Sequence, residues 1–452
     1  MRVNDEVILF FSVLKWLFIA SLIGCLVGFV ASGFIRSLHY VIEQSNQYQH
    51  IFYLLPLSFF LANLLSQFVL KRHLGTDTLI DAINKNYGKL EGSFIPTKVV
   101  NVVLILATGG SAGKESPCAQ IGAGIGSVCA SLFRVNDIDR RKMVLCGFCA
   151  GFACVFGAPI AGALFGIEVL AVGVIFYDVL LPAFIASVTA YQVSSALGVT
   201  FFYYPLKFIP AFGQGFFIQL IVGGIVFGLC AFALVRAIQQ STLATNAIPL
   251  WRPLKGFLGG VILVVLTLLF SRDYLGLGLN LMEDCIKGYS VNRFAFLLKA
   301  IFTIITLSIS RSGSVITPIL FIGATAGGSF AQLVGADQST FAAIGFVSLL
   351  AGTTNTPIAT SILAIELFGA SIAPYAAVSC VLSYLMSGHQ SLYASQRLII
   401  PKSGAIAIRP GLSIGSLSAD RKPTDIRLSS WLQRLKSFFN GLAGRKNGAK
   451  DE

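Results

Sequence analysis

Charge is what this sequence has least of. Only 12% of its 452 residues are Asp, Glu, Lys or Arg, about half the share usual in globular domains, while 55% are hydrophobic. That balance excludes most soluble enzymes, coiled coils and disordered chains, and leaves a protein whose main solvent is lipid. Between Met143 and Val235 the only charged side chains are Glu168, Asp178 and Lys207, over a length able to cross a hydrocarbon layer of roughly 30 Å several times. Histidine is scarce too: His39, His50, His73 and His389 show no metal-ligand spacing and read as headgroup-level or loop residues. The nine cysteines lie in apolar or glycine-rich surroundings, where a thiol behaves as a small hydrophobe. Cys146-Gly-Phe-Cys149 has the spacing of a redox or zinc pair, yet no second ligand pair accompanies it. Neither a metal nor another cofactor is expected. A membrane-embedded enzyme would need a nucleophile–base pair or metal cluster at depth, which the sequence does not offer.

The formal charge of +13 does not point to nucleic acid, because no soluble basic module carries it. Much of it sits after Ile400, where ten Lys and Arg residues face four acidic ones. The positive-inside rule makes that end cytoplasmic. Within it Leu428, Trp431, Leu432, Leu435, Phe438, Phe439 and Leu442 recur at helical spacing between basic residues. This predicts an amphipathic helix, lying either on the inner leaflet or on the protein's own cytoplasmic face. At the other end Val7–Phe34 is too long for a signal-peptide core and reads as a retained membrane helix. The roughly 50 residues after Pro401 are too few for a regulatory domain of usual size.

Many apolar runs are short and broken by Gly, Ser and Pro. Membranes tolerate such broken helices only where protein or a water-filled cavity receives the freed backbone groups, which predicts a binding site near the midplane. The breaks come in pairs. Ser111-Ala112-Gly113-Lys114-Glu115-Ser116-Pro117, continuing to Ile121-Gly122-Ala123, can be laid on Ser312-Gly313-Ser314-Val315-Ile316-Thr317-Pro318, continuing to Ile322-Gly323-Ala324. The prolines are 201 residues apart. Ala158-Pro159-Ile160-Ala161 through Glu168 likewise matches Thr356-Pro357-Ile358-Ala359 through Glu366, with prolines 198 apart. Two ordered matches at nearly one offset predict two homologous halves, 1–205 and 206–400, followed by a tail, 401–452.

Gly113–Pro117 carries the most chemistry. Proline is favoured in the first turn of a helix, so Pro117 predicts a helix start with free N–H groups facing the space before it. Pro318 repeats the device, letting Val315, Ile316 and Thr317 offer amides to the same space. Two helix ends aimed at one point bind an anion without a full positive charge. Glu115 between them either competes with that anion or simply complements the helix dipole.

These residues resemble the signatures of the CLC family of chloride channels and transporters. Gly113-Lys114-Glu115-Ser116-Pro117 is similar to the family's GK/REGP motif, and Ser314–Pro318 falls at its GxFxP motif. Ser391-Leu392-Tyr393 falls at the pore tyrosine. The resemblance covers most of residues 1–400. It implies an all-α polytopic membrane protein of about eighteen helices, many short or broken, in two inverted repeats. It also implies a homodimer with a pore in each subunit, set in lipid, here in a bacterial inner membrane. Glu115 becomes the gate. Gly113, Ser116, Val315, Ile316 and Tyr393 become anion-binding residues, together with Leu74, Gly75 and Thr76 at the first signature, His73-Leu74-Gly75-Thr76-Asp77. Two departures matter. Leu74 stands where the family has a chloride-coordinating serine, with Thr76 or Thr78 as alternative hydroxyls. Val169 stands where exchangers have an internal proton-transfer glutamate, whereas Glu168, matched by Glu366, reads as architectural. The expected activity is passive conduction of chloride or a similar inorganic anion. The alternatives are coupled anion/proton antiport, or carriage of another anion such as nitrate or fluoride.

Overall fold

The computed structural model describes residues 5–69, 75–90, 94–206, 208, 210, 213–310, 313–404 and 411–417. Among them are sixteen α-helices in two runs of eight, with five short 3₁₀ turns at the joints. The first run is α1 (Asp5–Asn46), α2 (Leu55–Val69), α3 (Thr76–Lys85), α4 (Phe94–Ala107), α5 (Glu115–Leu132), α6 (Asp137–Phe156), α7 (Pro159–Glu168) and α8 (Leu180–Ala196). The second is α9 (Gln214–Ala247), α10 (Arg252–Leu269), α11 (Leu279–Ile286), α12 (Ala295–Ser310), α13 (Ile316–Val334), α14 (Gln338–Thr354), α15 (Pro357–Phe368) and α16 (Ala373–Met386). Order and size repeat together. α1 and α9 have 42 and 34 residues, α3 and α11 have 10 and 8, α5 and α13 have 18 and 19, and α7 and α15 have 10 and 12. The chain is an all-α polytopic membrane protein.

Among the described residues five stretches are long and apolar enough to cross a membrane: Asp5–Asn46, Tyr177–Ala196, Gln214–Ala247, Arg252–Leu269 and Ile316–Val334. A ten-residue helix such as α7 rises only about 15 Å, so it must end inside the hydrocarbon layer and hand its terminal backbone groups to protein. Pro159 and Pro357 open α7 and α15, and carboxylates from the opposite half close the account. Glu168 accepts from the amides of Ile358 and Ala359 at 3.1 and 2.8 Å. Glu366 accepts from those of Ile160 and Ala161 at 3.0 and 2.8 Å. Each short helix thus ends in a residue that caps the start of the other, the exchange a two-fold relation between halves produces.

Glycine sets the remaining geometry. A Cβ on Gly122 would overlap the Gly147 carbonyl oxygen, and one on Gly323 the Gly345 carbonyl oxygen, so α5 touches α6 and α13 touches α14 backbone to backbone. The repeated Ile-Gly-Ala steps therefore fix two helix pairs, one built on α5 and the other on α13. Beyond the helices, β1 (Ala171–Val172), β2 (Arg397–Leu398) and β3 (Leu412–Ser413) form one sheet, β1 parallel and β3 antiparallel to β2. Val172, Leu398, Ile414 and Leu417 form a small buried cluster on it. The amphipathic segment predicted at 428–442 lies outside the described residues.

Candidate anion site

Three helix N-termini converge. α5 begins at Glu115, two residues before the start predicted from Pro117, so Glu115 and Ser116 occupy its first turn. α13 begins at Ile316, with Val315 as its N-cap, and α3 begins at Thr76, with Gly75 as its N-cap. Ahead of α5 and α13 the two strands of chain bond to each other. The Gly113 N–H donates to the Ser314 carbonyl at 2.6 Å, and the Ser314 N–H donates to the Gly113 carbonyl at 3.0 Å. This bridge holds the two helix starts side by side.

Glu115 is buried, with 3% of its surface exposed, and its carboxylate reaches across the bridge. One oxygen accepts from the Thr317 hydroxyl, and the other accepts from the Thr317 N–H at 3.3 Å. A side chain of the first half thereby sits on the N-terminus of a helix of the second, where the partial positive charge of α13 favours an anion. Above it lies a cavity of about 320 Å³ lined by His39, Lys114, Glu115, Glu283 and Thr317, with Leu277, Leu320 and Phe346 in its apolar wall. Lys114 Nζ donates to His39 Nε2 at 2.7 Å. His39 thus lies on α1 beside this cavity, where α1 packs against α4 and α5.

On the other side of Glu115, the Ser116 and Thr76 hydroxyls share a hydrogen bond that joins α5 to α3. Gln120, one turn further along α5, donates from Nε2 to the Ser116 hydroxyl at 2.9 Å. The Gly75 N–H goes to Thr78 Oγ1 at 3.3 Å, and Leu74 lies outside the described residues. Tyr393 is buried. Its loop is fixed by the Leu392 N–H on the Thr353 carbonyl at 3.0 Å and by the Ser395 N–H on Asp77 Oδ1 at 2.7 Å, which ties that loop to the first turn of α3.

The structure therefore gathers Gly75, Thr76, Gly113, Glu115, Ser116, Val315 and Ile316 around three helix starts, with the Tyr393 loop tied to the same place. Three of the amides are bound internally: that of Gly75 to Thr78 Oγ1, that of Gly113 in the bridge and that of Ile316 to Ser314 Oγ at 3.2 Å. The Thr317 hydroxyl, Gln120 and His39 were not singled out from sequence. Thr317 was legible, since it precedes Pro318 as Ser116 precedes Pro117. Gln120 and His39 had no such signal, because each meets its partner only through packing. Val169 is buried in the apolar core just past α7, its N–H on the Phe165 carbonyl at 3.0 Å. Cys146 and Cys149 are buried thiols, and Cys149 donates to the Ala163 carbonyl at 3.3 Å, packing α6 on α7.

Comparison with known proteins bears on this site. A family model described as "Voltage gated chloride channel" matches residues 58–388. The "Chloride/fluoride channel protein" of Pseudomonas syringae pv. tomato is 33% identical over 392 residues, covering 85% of this chain and 86% of that protein. The "H(+)/Cl(-) exchange transporter ClcA" of Vibrio vulnificus is 29% identical over 384 residues, covering 78% and 81%. Among solved structures, a CLC-type fluoride/proton antiporter superposes with a TM-score of 0.80 at 27% identity, over 86% of this chain and 99% of that one. A slow cyanobacterial Cl-/H+ antiporter gives 0.73 at 21% identity, over 82% and 94%, a likeness of fold alone.

Proposed function

The chain belongs to the voltage gated chloride channel family, whose members transport chloride or similar anions, and on that premise we propose that it passes a small inorganic anion down its gradient along a path gated by Glu115. The observation that carries this reading is the Glu115 carboxylate seated on the N-terminus of α13. An anionic side chain in that seat stands where a permeant anion would bind, so carboxylate and ion exclude one another. Helix ends offer only partial charge, which lets an ion bind and still leave. Thr76, Ser116, Val315 and Tyr393 supply the remaining donors in this reading, with Leu74 beside them by resemblance, while Gly75, Gly113 and Ile316 hold the backbone. Valine at position 169 supports passive movement, since it cannot carry a proton. Fluoride joins chloride as proposed cargo on the likeness to the P. syringae protein. The chain is further proposed to span a bacterial inner membrane with halves 1–205 and 206–400, a cytoplasmic 401–452, and a second copy forming a dimer with one path per subunit.

Coupled anion/proton exchange is the second reading, favoured by the likeness to a fluoride/proton antiporter. Liposomes reconstituted with the protein separate the two. Passive movement predicts that a proton gradient alone drives no uphill accumulation of fluoride or chloride; uphill accumulation would overturn it in favour of exchange. Glu115→Gln should raise anion flux and abolish its pH dependence. Unchanged, pH-dependent flux would remove Glu115 from the gate. Leu74→Ser should move the preference toward chloride.

A further inference from the structure

Beside the gate lies a buried polar cluster whose hydrogen bonds do not close. Thr76, Ser116 and Gln120 are 6%, 7% and 2% exposed. Gln120 Nε2 donates to Ser116 Oγ at 2.9 Å and, more weakly, toward Thr76 Oγ1 at 3.4 Å, and the two hydroxyl oxygens bond to each other. An amide nitrogen only donates, so it accepts nothing from either hydroxyl. Two hydroxyl protons are present, and only one can lie between the two oxygens. Among the described residues the second proton has no acceptor. Gln120 Oε1 is also buried without a partner, an acceptor left open in the same cluster.

We propose that Gln120 is a positioning residue that sets anion preference: its N–H groups occupy the inner lone pairs of the Ser116–Thr76 pair and so aim one hydroxyl proton outward, at the ion held between the starts of α3 and α5. A hydroxyl donor in a water-poor site favours the anion that accepts hydrogen bonds most strongly, which among halides is the small, basic fluoride rather than chloride. Glutamate at the same position would reverse it, since a carboxylate accepts and would turn both hydroxyl protons inward.

This inference rests on the anion-path reading and adds selectivity to it. The test is fluoride and chloride efflux from proteoliposomes containing wild type, Gln120→Glu or Gln120→Met, each checked for a monodisperse elution profile before reconstitution. Met keeps the volume and removes the donors. The fluoride-to-chloride flux ratio should fall severalfold in Gln120→Met and by tenfold or more in Gln120→Glu. A variant that transports with the wild-type ratio overturns the role of Gln120 while leaving the path intact. Wild-type protein that moves neither ion overturns the path itself, and the inference with it. If one variant does not fold, the ratio in the other decides.

Discussion

The Glu115–Thr317 contact is the residue-scale feature on which flux should turn. A hydroxyl and an amide of one residue hold both carboxylate oxygens, and a hydrogen bond to a charged group contributes about 1.5–3 kcal/mol. Thr317→Val removes the hydroxyl and keeps the shape. Loss of roughly 1.5 kcal/mol from the seated state should raise anion flux about tenfold. In Glu115→Gln, the same Thr317 change should add little, because the two side chains act as one latch; a double-mutant cycle in liposomes measures that coupling. Glu115 was legible because its motif surrounds it. The partner that seats it is 202 residues away and became visible only where Gly113 and Ser314 bridge the halves.

Among elements, the reciprocal caps matter most. Glu168 and Glu366 each satisfy two amides at the start of a proline-opened helix, so either carboxylate's removal leaves two helix-start donors unpaired in a largely apolar setting. Glu168→Ala and Glu366→Ala should each destabilise the protein by about 2–4 kcal/mol, lowering the midpoint of thermal unfolding in detergent, whereas a lost proton route would alter transport and spare stability. Gly122→Ala, which forces a methyl group into the Gly147 carbonyl, should separate α5 from α6 and lower the same midpoint. The repeat made these elements readable, since glutamate recurs at the end of both short helices and glycine at both crossings. Which half each glutamate serves was not readable, because periodicity within one half carries no information about its neighbour.

At the scale of the molecule, the sheet fastens the segment after α16 to the link between α7 and α8. Lys402 strengthens that end: its ammonium donates to the Tyr384 carbonyl and to Ser387 Oγ and lies 4.0 Å from the Tyr384 ring centre. Burial pushes it down to about 7 from the usual lysine value. The unfolded chain therefore holds this proton more tightly than the folded one between pH 7 and 10, and stability attributable to Lys402 should rise as pH climbs through that window. The expected gain is on the order of 1–2 kcal/mol, and Lys402→Met should flatten the rise in thermal midpoint between pH 7 and 9. Overall architecture was legible from the paired broken helices. The sheet was not, as two-residue strands carry no alternation to read.

The bridge between Gly113 and Ser314 also constrains how the molecule comes into being. At a synthesis rate of roughly 5–20 residues per second, position 314 leaves the ribosome about ten to forty seconds after position 113. Throughout that interval the first half is already threading into the bilayer with its gate strand unpaired and the seat for Glu115 not yet made. In the proposed reading the path needs the starts of both α5 and α13, so the nascent chain holds no complete path until the second of them has been made.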